Sequence, residues 1–425
     1  MIKFLTNWWQ VEKIKQAIRR QNFSQAEKLI RFRQQQKIKL SLLEQLFLQN
    51  INLQGNIEEK NKQLLTLESI VKLSQKFLEP NQNFIWYIED CFKFIDHDPF
   101  KLQCTGIDFD VFESLETNLV DYLKSEINNK NLSSRQVKIE LKKAKEDLER
   151  LKKGDDPDYD AKFSPHVYLI QYFLDNVYCN YLALFLIYRS GYFNEQLKIL
   201  DIAAGPSTML FGLNLFTQSL SKFVDVSQFN FSYYSLEKQV SLQIQGSKFW
   251  RYYLNTQTQP INAYCQFNTK DLFEYKNFKH QLPKTFFDFI VISHCFFYDD
   301  ENREQSYSIY KNIFQQCLSS QGKVLLIIQR NKLYKTYNSF PEENIQVENQ
   351  AVNNFLKLLG LELIWYKYLT STGQRTVMKS GFSTFASKNL RKQNYLSILK
   401  QKYFDQQFIS DYVIDDFVIF TQVSK

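Results

Sequence analysis

Four places in the sequence combine residue types and spacings that can do chemistry. The first is residues 197–208, LKILDIAAGPST, where the apolar pair Ile199-Leu200 ends in Asp201. Ile202 then passes into the small-residue turn Ala203-Ala204-Gly205-Pro206-Ser207, and the helix-like stretch MLFGLNLFTQSL follows. A strand that breaks into such a turn and opens a helix is how α/β proteins bring backbone close to a nucleotide. No phosphate-binding lysine follows, so this is not a P-loop, and the absence of GxGxxG weakens a dinucleotide reading. The second place is FNFSYYSLEKQ, where a strand pattern ends in Glu237. Two fixed carboxylate oxygens suit a vicinal diol such as a ribose, although a glutamate opening a helix is favoured there by the dipole alone. The third is the loop 268–273, where Asp271 precedes Leu272 and could equally cap a short turn. The fourth is FFDFIVISHCFFYDDEN, an apolar strand that emerges at Ser293-His294-Cys295. His294 could act as a general base for an oxygen or nitrogen acceptor, or simply hydrogen-bond across a pocket. Phe296, Phe297 and Tyr298 could wall that pocket, while Asp299 and Asp300 either line it or start the next helix.

These places need elements to position them. From residue 197 onward strand and helix patterns alternate, which implies a parallel sheet with helices on both faces. Strands are expected at 197–202, 230–236, 261–267, 287–293, 323–329, 361–369 and 412–422. Helices are expected at about 207–222, 239–255, 303–319 and 350–359, with a buried lead-in helix over 165–190. Residues 1–80 carry helical periodicity, and 134–153 read as a charge-laced helix broken by Gly154-Asp155-Asp156-Pro157. That break predicts an all-helical N-terminal domain over 1–154 and an α/β domain over 155–425.

The turn with Asp201 and central Gly205, the acid Glu237 after the second strand and a seven-stranded sheet whose last strand is antiparallel resemble class I S-adenosylmethionine-dependent methyltransferases. The resemblance covers about residues 160–425 and implies a Rossmann-like sheet with S-adenosylmethionine as cofactor. It implies that Asp201, Ala203, Gly205, Pro206, Glu237, Asp271, Leu272 and Ser293 surround that cofactor, with His294 toward the acceptor as the catalytic candidate. Glu237 would take the ribose hydroxyls. Asp271 would take the adenine amino group, and the Leu272 amide a ring nitrogen. Ala203 replaces the motif's first glycine, and Ser207 stands near the third; an alanine at the first position is expected to need no positive φ. The fourth strand lacks the Asn/Asp-Pro-Pro-aromatic motif of amino-methylating branches, which disfavours adenine or cytosine N-methylation. Three functions stay open: a methyltransferase acting on RNA or protein, one acting on a small molecule, and a non-catalytic assembly or binding protein that kept the fold.

Charge and cysteine usage narrow the setting. Net charge is +8 over 425 residues, and residues 1–50 hold ten Lys/Arg against three Glu. A second basic segment, 371–402, carries Arg375, Lys379, Lys388, Arg391, Lys392, Lys400 and Lys402 without an Asp or Glu, interleaved with Phe382, Phe385 and Tyr395. Basic side chains among aromatics could grip RNA, and a solvated surface or an acidic protein partner explains them as well. The six cysteines are scattered without a CxxC, which argues against a structural zinc, an iron–sulfur cluster or a secreted disulfide framework, and no metal site is expected. No signal peptide is expected at the N-terminus, and the apolar run 167–188 is interrupted by Gln171, Asp175, Asn176 and Asn180, so it reads as a buried helix rather than a span. A cytoplasmic protein is expected; the oligomeric state is open.

Overall fold

The computed structural model describes residues 13–14, 23–35, 77–130, 132–153, 157, 159–257, 261–297, 299–336, 340–378 and 380–424. By internal contacts the chain divides into two units, Met1–Gln75 and Lys76–Lys425. In the first unit the helix Phe23–Gln35 is described; most of the predicted basic helices of residues 1–50 lie outside the described residues.

The second unit is built on one sheet. Its strands are β1 (Ile95–Asp98), β2 (Lys101–Gln103), β3 (Gln196–Ile202), β4 (Asn230–Glu237), β5 (Asn262–Thr269), β6 (Phe287–Ser293), β7 (Leu318–Gln329), β8 (Leu361–Thr370) and β9 (Asp415–Val423). Their spatial order is β1-β2-β8-β9-β7-β6-β3-β4-β5. Strands β3 to β7 run parallel, and β9 inserts antiparallel between β7 and β8. The chain order reverses between β3 and β6, where doubly wound sheets place ligands beyond the carboxyl ends of their strands.

Side-chain alternation explains how one sheet makes two cores. Ile199, Val291, Leu325, Ile327, Val418 and Phe420 face one layer, which contains the helices Phe173–Arg189, Thr208–Leu220 and Val240–Leu254. Leu200, Ile202, Ile290, Ile292, Leu326, Ile328, Phe417 and Ile419 face the other, against the helices Asp300–Cys317 and Ile345–Leu359. Strand β6 is buried over all but its last residue, as a central strand covered on both faces must be.

Three expectations need correction. Among the described residues the sheet has nine strands rather than seven, because β1 and β2 form a hairpin that extends it beyond β8. The hairpin turns on Asp98, whose Oδ1 accepts from the amides of Phe100 and Lys101 at 2.9 and 3.0 Å. Strands of four and three residues, IDHD and KLQ, are too short and polar to show an alternation. Residues preceding 154 are therefore not all helical, and by internal contacts the chain divides at 75/76. The helices Gln82–Phe92, Phe109–Asn128 and Ser134–Leu148 place Phe84, Phe92, Phe112, Leu119 and Leu141 in the same buried cluster as Ile199 and Val291. The expected lead-in helix 165–190 is two helices, Ser164–Gln171 and Phe173–Arg189, broken at Tyr172. Among the described residues no helix is long and apolar enough to cross a membrane.

Candidate functional site

The chain leaves β3 through a turn that repeatedly enters the left-handed region. Ala203, Gly205 and Ser207 have φ of +55°, +54° and +64°. The expectation that Ala203 needs no positive φ is therefore wrong. Each non-glycine residue held there costs on the order of 1–3 kcal/mol, which the surroundings must offset. They do so through neighbouring β4. The Ala204 amide donates to Leu236 O at 3.1 Å, and the Gly205 amide donates to Glu237 Oε2 at 2.6 Å. Pro206 presses on the helix Val240–Leu254 so closely that a Cβ at Gly246 would come within 2.5 Å of its carbonyl oxygen. Space remains above Gly205, where a Cβ would meet only Tyr168 Oη, at 3.8 Å.

Glu237 is the hub of this corner. Besides the Gly205 amide it accepts the Gln239 amide on Oε1 at 2.6 Å, so both carboxylate oxygens are oriented at the end of β4. A carboxylate has about four acceptor sites, and these backbone amides fix the direction of both oxygens. Asp201 behaves differently. It is buried and accepts a 2.6 Å hydrogen bond from Tyr233 Oη, and burial pushes its carboxyl up to about 7 against the lowering effect of that bond. Its role here is to anchor the end of β3. Asp271 caps the turn that begins at Leu272, accepting from the Phe273 amide at 3.0 Å, and pairs with Lys238 Nζ at 3.3 Å.

A second corner forms beyond β6. His294 takes a φ of +62°, its amide donating to Ile327 O at 2.8 Å, and this turns the imidazole across the strand ends. Nδ1 lies 2.9 Å from Ser293 Oγ, and Nε2 lies 3.0 Å from Asp416 Oδ1 at the start of β9. Cys179, buried on the helix Phe173–Arg189, faces the same point. One turn earlier Asp175 accepts from Gln393 Nε2 at 2.7 Å, and burial pushes its carboxyl up to about 7. Tyr168, bonded by Asn176 at 3.2 Å, interacts electrostatically with both Glu237 and Cys295 and so stands between the two corners.

The predicted residues thus separate into groups. Ala203, Gly205, Pro206 and Glu237 form one corner over the anchor Asp201; Ser293 and His294 form the other; Asp271 and Leu272 sit at the loop beyond β5. The aromatic wall is corrected in part: Phe296 is buried against Phe355, and Phe297 packs on Phe273, while Tyr298 lies outside the described residues. Asp299 caps the helix Asp300–Cys317, and Asp300 pairs with Arg303. Sequence reasoning missed Tyr168, Cys179, Tyr233 and Asp416. An acid heading the apolar strand DDFVIF was the one available signal.

The basic segment 371–402 is also partly internal. Arg375 is buried between Asp98 and Glu348, its Nη1 and Nε each 2.8 Å from a carboxylate oxygen. Lys400 donates to Gln393 Oε1 and Ser410 Oγ, each at 3.0 Å, and Lys392 pairs with Asp411. Lys388, Arg391 and Lys402 are exposed, and Lys379 lies outside the described residues.

No family model matches the chain, and no curated protein matches it. Solved structures similar to it include an S-adenosylmethionine-dependent methyltransferase from Methanosarcina mazei, 13% identical over 56% of this chain and 97% of that one, with a TM-score of 0.31. Another is a putative methyltransferase of the same kind from Methanococcus maripaludis, 14% identical over 62% and 92%, with a TM-score of 0.27. A coclaurine N-methyltransferase bound to N-methylheliamine and SAH is 10% identical over 73% of this chain and 100% of that one, with a TM-score of 0.29. Likeness of this degree transfers no ligand from those proteins to this one.

Proposed function

We propose that the chain binds S-adenosylmethionine across the carboxyl ends of β3 and β4 and transfers its methyl group to an acceptor at Ser293-His294. One observation carries the reading: the Glu237 carboxylate, oriented by two backbone amides, stands beside the open left-handed turn at Gly205. The sheet supports it, since the site lies where the chain order reverses between β3 and β6. In this reading Glu237 takes the ribose hydroxyls, the turn from Ala203 to Ser207 carries the methionine part, and Asp271 with Leu272 meets the adenine. The sulfonium already activates the methyl group, so the protein's contribution is alignment and exclusion of water. Ser293 and His294 would orient the acceptor at the end of β6.

Isothermal titration with S-adenosylmethionine and S-adenosylhomocysteine tests the reading. Glu237→Ala should weaken binding about 10- to 100-fold, the scale of one lost hydrogen-bonding charge, and Gly205→Trp should abolish it. Absence of binding by the unaltered chain, or equal binding by both variants, would overturn it. For the acceptor we propose RNA or protein, supported by exposed Lys388, Arg391 and Lys402 in the same segment as exposed Phe382 and Tyr395. Labelled methyl from the cofactor should enter the RNA or protein fraction of a cell extract; label confined to small molecules would reverse that choice.

A further inference from the structure

The acceptor corner holds a second kind of chemistry. Cys179 Sγ, a His294 ring nitrogen and an Asp416 carboxylate oxygen converge from three different elements: the helix Phe173–Arg189, the end of β6 and the start of β9. These ligand atoms all lie within 4.8 Å of one another. In a tetrahedral zinc site, bonds of roughly 2.0–2.3 Å put ligand atoms about 3.3–3.6 Å apart, so a side-chain shift of about 1 Å closes this set. The His294–Asp416 edge is already at 3.0 Å.

We propose that Cys179, His294 and Asp416 bind a divalent ion of the zinc type, with a fourth position left to water or to the acceptor. Donor chemistry selects the ion. One sulfur, one nitrogen and one oxygen suit a borderline-soft cation such as Zn2+, and are a poor set for Mg2+ or Ca2+, which take oxygen. Three protein ligands with an open place are the pattern of a reactive site rather than of a closed structural one.

The surroundings match what a metal-bound imidazole requires. A ligating histidine is held by a hydrogen bond to its other nitrogen, and His294 Nδ1 is 2.9 Å from Ser293 Oγ while Nε2 faces Asp416. The left-handed backbone at His294 fixes the ring in that direction. Cys179 is only 1% exposed, so its thiolate would be shielded from oxidation and exchange once metallated. An ion there would coordinate an acceptor's oxygen or sulfur and ease loss of its proton. The metal site stands on its own residues; only the acceptor's place at it rests on the methyl-transfer reading.

The test uses the full chain loaded with Zn2+ or Co2+ and freed of excess ion by gel filtration. One ion per chain is expected by elemental analysis. The Co2+ form should show the intense visible bands of a four-coordinate site and a thiolate-to-cobalt charge-transfer band in the near ultraviolet. Cys179→Ser should remove the charge-transfer band, and His294→Gln and Asp416→Asn should each lower metal affinity at least tenfold. Cys317→Ser, at a cysteine outside the cluster, should change nothing. Loss of ion from the unaltered chain on gel filtration, or a charge-transfer band surviving Cys179→Ser, would overturn the proposal. Should Cys179→Ser not fold, as judged by circular dichroism, Asp416→Asn carries the affinity measurement. None of these readouts involves S-adenosylmethionine, so failure of the cofactor titration and failure of the metal site are told apart.

Discussion

Asp201 ends β3 as the sequence suggests, yet its environment decides what it does. Unfolded, its carboxyl ionises at about 3.9; folded, burial holds the proton up to about 7. The folded state therefore binds more protons between those values. The stability this contributes is complete below the unfolded value and declines as pH rises through the folded one. Thermal unfolding followed from about pH 5 to about pH 8 should show a falling midpoint, and Asp201→Asn should flatten the fall. An unchanged slope in that variant would place the effect on other groups. Ala203 shows the opposite kind of surprise. A one-letter code says that alanine tolerates ordinary helix and strand backbone, but the contacts from Ala204 and Gly205 to the end of β4 close the turn and set its φ. That constraint comes from a strand some thirty residues away, so no local reading finds it.

At the scale of elements, the hairpin β1–β2 is tied in by charge. Asp98 on the hairpin and Glu348 on the helix Ile345–Leu359 both bind Arg375, and Glu348 is fully buried. Counted along the sequence, Arg375 belongs to a basic segment that could face a partner. Its pairing makes it a bolt between the hairpin and a helix on one face of the sheet. Arg375→Met should cost about 3–5 kcal/mol in denaturant unfolding, because it leaves the buried Glu348 carboxylate uncompensated. Adding Glu348→Gln should recover part of that loss. A cost within about 0.5 kcal/mol, the range of ordinary surface changes, would show that the triad is not holding these elements. The central parallel strand β6 was readable because burial on both faces gives a continuous apolar run. The hairpin was not, since three or four polar residues leave no period to detect.

At the scale of the molecule, the division at 75/76 makes a direct prediction. A fragment starting at residue 76 should unfold in one cooperative transition, whereas a fragment starting at residue 155 should not fold, for it lacks Phe84, Phe92, Phe112 and Leu141 of the shared core. Cooperative unfolding of the shorter fragment would restore a boundary near residue 154. What the sequence by itself determined is the alternation of strands and helices from β3 onward and the corner where Gly205 meets Glu237. Both follow from short-range pattern: periodicity names the elements, and adjacent parallel strands must end side by side. What only the tertiary structure decided is which distant side chains share a point. Cys179, His294 and Asp416 come from three elements, the last two 122 positions apart, and Arg375 and Lys400 are buried while Lys388 and Arg391 are not. Such meetings are set by how helices pack on the faces of a twisted sheet, and no spacing along the chain encodes them.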